Sequence, residues 1–192
     1  MEERLKYVLS SVIDWLKFGE AKNAALVALN GAAILSLIGA VKDIGNSAIS
    51  YFLVHLTIPG LLIGLGISLN AIRSIVSKSY SPNLNFTDIT DHVLFYGDIA
   101  KYSDTEYLKK LYAFHKEDAP ETYSALETEF ACQIIINARI ANRKFKLFNY
   151  GLIVTIVAIA GSFLLAILPY YFKPVLNFYT DILGLGIEKY GK

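Results

Sequence analysis

Three long stretches of this chain contain no Asp, Glu, Lys or Arg: residues 24–41, 48–72 and 147–172. Crossing a bilayer core of about 30 Å at 1.5 Å per residue takes about 20 residues in a helix. The second and third stretches exceed that length. The first is the shortest, with Asn30 and Ser36 as its clearly polar members, and a buried helix of a soluble domain competes for it. A span is favoured because a second apolar run follows after the turn-like residues 42–46. Composition agrees: 54% of residues are hydrophobic and 18% charged, against about 25% charged in soluble domains. The expected fold is an all-α integral membrane protein, three transmembrane helices with a helical cytoplasmic domain between spans 2 and 3.

Ahead of the first run, Leu5, Val8, Leu9, Val12, Ile13 and Leu16 recur at three- and four-residue steps, the signature of a helical face. A cleaved signal peptide competes with a span here, but 23 residues carrying both signs of charge precede the apolar run. The simplest reading is one helix that begins on the membrane surface, or against a partner helix, and then enters the bilayer. Trp15 and Phe18 would lie near the headgroups with Lys17 and Lys22 beside them, Lys22 snorkelling or pairing with Glu20. Orientation follows the basic residues. Of the 18 Lys and Arg, four precede the first run, one lies between the first two, ten fall in 73–146 and three follow 172. The N-terminus and central domain are therefore expected in the cytoplasm, with the short loop and the tail outside.

The expected division is an amphipathic N-terminal helix (1–23), a two-span hairpin (24–72), a cytoplasmic helical sensor domain (73–146), a third span (147–172) and an extracytoplasmic tail (173–192). Within the central domain, residues 77–85 form a polar linker with a turn at Pro82 and Asn83, and Thr87 and Asp88 are helix starts. Ser103 with Glu106 reads as a capping box ahead of the stripe Tyr107, Leu108, Leu111, Tyr112 and His115. Asp118 and Pro120 signal another helix start. No Pro or Gly follows Pro120 until Gly151, so a single helix is expected from about Pro120 through the third span, a break near 149–151 being the alternative. In the tail, Ile182, Leu183, Leu185 and Ile187 suggest a short amphipathic element.

The formal net charge of +1 gives no global attraction to nucleic acid, and none is expected as a partner. Cys132 is the only cysteine, so neither an intrachain disulfide nor a multi-cysteine metal site can form. His92, Asp98 and His115 match no metal-ligand spacing. There is no phosphate-binding glycine loop after a strand, no Ser-His-Asp order and no paired carboxylate within a span. Neither catalysis, nor a metal, nor a cofactor is expected.

Several segments, in order along the chain, resemble the Pycsar transmembrane effectors. Glu20-Ala21-Lys22, then Ala24, Leu26, Leu29, Asn30 and Gly31, is similar to the opening of that family's first span. Phe95-Tyr96-Gly97-Asp98-Ile99-Ala100 with Tyr107-Leu108 resembles its central signature. Gln133-Ile134, Asn137, Ile140-Ala141 and Lys144 resemble the helix before its last span. The resemblance covers about residues 11–170, and the tail after Pro174 matches nothing in it. It implies a bacterial antiphage role in the inner membrane. A partner cyclase makes a cyclic pyrimidine nucleotide (cCMP or cUMP), the effector responds, membrane integrity is lost and infection aborts. The competing readings are a constitutive small channel or transporter subunit, and a membrane-anchored adaptor docking a partner protein through its cytoplasmic helices.

A cyclic mononucleotide presents one phosphate and one flat base. A receptor wants an Arg or helix N-terminus for the former and an aromatic plane for the latter. Arg139 and Arg143, one turn apart, are the phosphate candidates; as membrane-proximal basic anchors they have an equally ordinary role. Tyr96 and Tyr107 are stacking candidates from a set with Tyr102 and Tyr112 that core packing also explains. Asp98 would accept a ribose hydroxyl or cap the next helix. In the spans, Asn30, Ser36, His55, Thr57, Thr155 and Ser162 should face protein or water. Pro59 should kink the second span, and Gly60 and Gly64 form a GxxxG pair suited to close helix approach, within one subunit or in a homo-oligomer.

Overall fold

A computed structural model describes residues 1–44, 51, 53–73 and 90–182 of the chain. Of the turn expected at 42–46, residues 42–44 are instead the end of α1; Gly45 and Asn46, the expected linker 77–85, the expected helix starts at Thr87 and Asp88, and Leu183, Leu185 and Ile187 of the tail lie outside the described residues. The described residues are helical, without strands: α1 (Glu2–Ile44), a π-helical turn (Leu53–Thr57) leading into α2 (Ile58–Ile72), α3 (Tyr96–Ile99), α4 (Asp104–Phe114) and α5 (Ala125–Ile182). Three of these helices are long and apolar enough to cross a membrane, within Glu2–Ala40, Val54–Ile72 and Ala125–Leu165.

Local chemistry sets the helix ends. In α1, Glu2 and Glu3 stand in the first turn, where the positive end of the helix dipole favours carboxylates. The expected capping box opens α4: Ser103 Oγ accepts from the Glu106 amide at 3.3 Å, and Glu106 Oε2 accepts from the Ser103 amide at 3.1 Å. At the other end of α4, Lys116 has φ 57°, and the Glu117 amide reaches back to the Tyr112 carbonyl at 3.1 Å. With the Lys116 amide on the Ala113 carbonyl at 3.0 Å, this is a Schellman motif built on a lysine instead of the usual glycine.

The last helix begins at Ala125 instead of Pro120. A second capping box decides this: Ser124 Oγ accepts from the Glu127 amide, and Glu127 Oε2 accepts from the Ser124 amide, both at 3.1 Å. Reciprocal bonding satisfies two orphan donors, which the fixed φ of Pro120 cannot do. The helix runs through 149–151 unbroken and continues past Pro169 and Pro174 to Ile182. Pro59 sits at the second residue of α2, directly after the π-helical turn. The missing amide of Pro59 leaves the usual four-residue ladder incomplete, and a wider π turn is one of the ways a helix absorbs such a defect.

The chain forms two compact units. The first comprises Met1–Ala28 and Leu65–Gly151. Its core gathers Leu5, Val8 and Val12 of α1 with Ile99, Tyr107, Leu108 and Leu111, and with Ala131, Ile134, Ile135 and Ala138 of α5. The amphipathic face at the start of α1 is thus buried against helices of the same chain and does not lie on a membrane surface.

The second unit comprises Leu29–Gly64 and Leu152–Lys192. Among its described residues, the buried set includes Asn30, Thr57, Thr155 and Ser162, while Leu35, Ile63, Val157, Phe163 and Leu164 are more than half exposed. Thr155 donates to Asn30 Oδ1 at 3.0 Å, Thr57 donates to Ser162, and Ser162 donates to the Ala158 carbonyl at 2.7 Å. Gly60 lies against Ala158 so closely that an added Cβ would collide with the Ala158 methyl. Polar groups inside and large apolar side chains outside is the arrangement that suits lipid as solvent. Four of the six polar residues expected to avoid lipid are buried; Ser36 and His55 are exposed.

Candidate functional site

Three side-chain constellations stand out in the first unit. One surrounds the loop before α4. Lys101 donates to Asp91 at 2.6 Å and to Asp98 at 2.7 Å, and Tyr102 Oη donates to Asp91 Oδ2 at 2.9 Å. Lys110 donates to Tyr102 Oη at 2.8 Å. Arg139 reaches in from α5 to the carbonyls of Ala100 (3.1 Å) and Tyr102 (2.8 Å). The hydrogen bonds it donates to the Asp91 and Asp98 carboxylates hold the Lys101 ammonium well above the usual lysine range. Burial, then Asp91, pushes the Tyr102 phenol far up.

The second constellation is aromatic. Tyr96 stacks on Phe145 with centroids 4.9 Å apart and packs beside Trp15 at 5.5 Å. Phe18 lies 6.0 Å from Phe145, and Phe95 lies 4.6 Å from Tyr96. The Lys22 ammonium sits over three ring faces, those of Phe18 (4.9 Å), Phe148 (5.0 Å) and Phe145 (5.6 Å).

The third is a buried node joining α1, α2 and α5. Lys144, 2% exposed, donates to Glu20 Oε1 at 3.0 Å and to the carbonyl of Ile72, the last residue of α2, at 3.3 Å. Asn23 donates to the carbonyls of Gly19 (2.8 Å) and Lys144 (3.1 Å). A cation at a helix C-terminus is favoured by the dipole, so Lys144 fixes the end of α2 against the other two helices. Glu20 therefore pairs with Lys144 and not with Lys22. No sequence spacing signals this node, because its three contributions come from three distant segments.

The five residues proposed for ligand binding separate into different settings. Arg139 and Asp98 belong to the first constellation, where Asp98 Oδ2 also accepts from the His92 amide at 3.0 Å. Asp98 lies within α3 and does not cap α4; Ser103 does. Tyr107 is 1% exposed and donates to the Val93 carbonyl at 2.9 Å, so its ring is a core element. Tyr96 belongs to the aromatic constellation. Arg143 is half-buried and has no hydrogen bond or ion pair among the described residues. Among those residues no group of three or more His, Cys, Asp or Glu side chains comes together as a metal would require.

Comparison with known proteins decides what this architecture belongs to. The Pycsar effector protein domain matches residues 4–171. The chain belongs to the Pycsar effector family. A relative from a Rhizobium species, named Pycsar effector protein RsPycTM, is 33% identical over 146 residues, covering 73% of this chain and 79% of the relative. No solved structure matches. Family membership supports an antiphage effector role, and implies a cyclic nucleotide signal and a membrane context.

Proposed function

We propose that the chain is the membrane effector of a bacterial antiphage system, activated by a cyclic pyrimidine nucleotide, cCMP or cUMP, and impairing inner-membrane integrity so that infection aborts. The observation that carries this reading is the family match over residues 4–171 of a chain in which α1, α2 and α5 each contribute to both compact units. A ligand that shifts side chains around α3 and α4 acts on helices that continue into the apolar unit. The basic-residue distribution supports a cytoplasmic N-terminus and central domain, where a diffusing nucleotide arrives. Ser36 and His55, polar and exposed on apolar helices, support a homo-oligomer in which they meet a neighbouring copy or a water path.

For the nucleotide, Arg143 takes the phosphate, being the arginine of the pair without a described partner. Arg139 and Asp98 brace the loop before α4, Tyr107 supports that loop from the core through the Val93 carbonyl, Tyr96 offers at most a ring edge to the base, and no bond of the nucleotide is broken. The test uses purified protein in liposomes loaded with a self-quenching dye. Release on addition of cCMP or cUMP, and calorimetric binding that Arg143→Gln weakens, are the expected results. Absence of both binding and release overturns the reading, and release without nucleotide favours a constitutive channel.

A further inference from the structure

We propose that Lys22, with Trp15, Phe18, Tyr96 and Phe145, forms a binding site for the phosphate of an anionic phospholipid headgroup. Three observations carry it. First, the Lys22 ammonium rests on three rings yet has no hydrogen-bond acceptor or counter-ion among the described residues. Its nearest acidic neighbour in sequence, Glu20, is taken by Lys144. The ring faces attract the ammonium but cannot neutralise its charge, which leaves it able to bind an incoming anion.

Second, the cluster is partly open, and Trp15 and Tyr96 add polar edges to it: Trp15 is 38% exposed and Phe18 49%. They already touch one another, with Trp15 5.5 Å from Tyr96 and Tyr96 4.9 Å from Phe145, so no slot of base width opens between them. A flat base is therefore the poorer occupant. A headgroup lying across ring edges, with its phosphate on Lys22, is the better one.

Third, the cluster stands where two apolar runs begin. Lys22 stands two residues before the uncharged residues 24–41, and Phe145 and Phe148 bracket the start of 147–172. Aromatic and basic side chains at that depth sit at headgroup level. Lys146, exposed and adjacent to Phe145, adds to the preference for an anionic over a zwitterionic lipid. Since Tyr96 comes from the α3 segment, a lipid held here ties that loop to the bilayer surface.

The experiment reads the site directly, because Trp15 is the only tryptophan of the chain. The full-length protein is reconstituted into vesicles containing phosphatidylglycerol or phosphatidylcholine brominated near the headgroup, and Trp15 fluorescence quenching is titrated against each. Brominated phosphatidylglycerol should quench at about fivefold lower mole fraction, the factor expected for one basic residue near a charged surface. Lys22→Gln should abolish the difference and Lys22→Arg should keep it. Equal quenching by the two lipids in the wild-type protein, or a preference that survives Lys22→Gln, overturns the proposal. If Lys22→Gln does not fold, the wild-type lipid comparison and Lys22→Arg decide. A final arm adds cCMP or cUMP to lipid-free protein in detergent: a change in Trp15 emission that phosphatidylglycerol reverses would assign the site to the nucleotide and also overturn it. No permeability is measured, so this outcome is independent of whether the nucleotide opens the membrane.

Discussion

Lys116 holds a left-handed conformation that costs an L-residue roughly 1–2 kcal/mol. Lys116→Gly should therefore raise stability by about 1 kcal/mol, read as a higher midpoint in thermal unfolding in detergent. At the buried node the two partners are unequal. Removing the half-exposed Glu20 leaves the Lys144 ammonium buried with, among the described residues, the Ile72 carbonyl alone, whereas removing the ammonium leaves a carboxylate that water can still reach. Glu20→Ala should cost about 2 kcal/mol, below the usual range for a broken buried pair because one partner is solvated, and Lys144→Met should cost less. The opposite order in melting experiments would contradict this account. Burial, then the Glu127 carboxylate, pushes the Tyr112 phenol up to about 12. A raised phenol contributes stability that is fully present below its unfolded value near 10 and is lost as pH rises toward 12. Tyr107 and Lys101 are raised as well, so melting temperature should fall steeply above about pH 10, and Tyr112→Phe should flatten that decline.

At the scale of elements, the GxxxG pair is read differently once the partner is visible. Gly60 meets Ala158 within one chain, so its small size is already used by the protomer. Gly60→Ala should destabilise by about 1–3 kcal/mol through overpacking, and Ala158→Gly in the same chain should restore much of the loss. A variant that melts normally but changes its oligomeric state would instead assign Gly60 to an interface between copies. The start of α5 teaches a related lesson. Asp118 and Pro120 carry helix-start chemistry, yet Ser124 and Glu127 win because two reciprocal hydrogen bonds form there. The Ser103–Glu106 box was legible for the same reason, since its four residues are contiguous and need nothing from the rest of the fold.

At the scale of the whole molecule, α5 has no interruption between Ala125 and Ile182, although it contributes to both compact units. If nucleotide binding acts through this helix, Gly151→Pro should separate the two events. Binding of cCMP or cUMP, followed by calorimetry, should be retained, while dye release from liposomes is lost. Loss of both would mean that the substitution unfolds the chain, and release at the wild-type level would show that α5 is not the route.

Hydropathy and caps by themselves determined that the chain is helical, that three segments suit a membrane and where α4 begins. These depend on composition and on neighbours three or four residues away, and both are printed in order along the chain. Only the tertiary structure decided that the first helix packs its Leu5, Val8 and Val12 face into the same core as Tyr107 and Ile134. It also decided that Lys144 finds Glu20 and the end of α2, and that Lys22 lies on three rings without a counter-ion among the described residues. A lysine reads as a charge in sequence; whether it pairs or rests on rings depends largely on groups distant in the chain, Glu20 and Ile72 for Lys144 and Phe145 and Phe148 for Lys22.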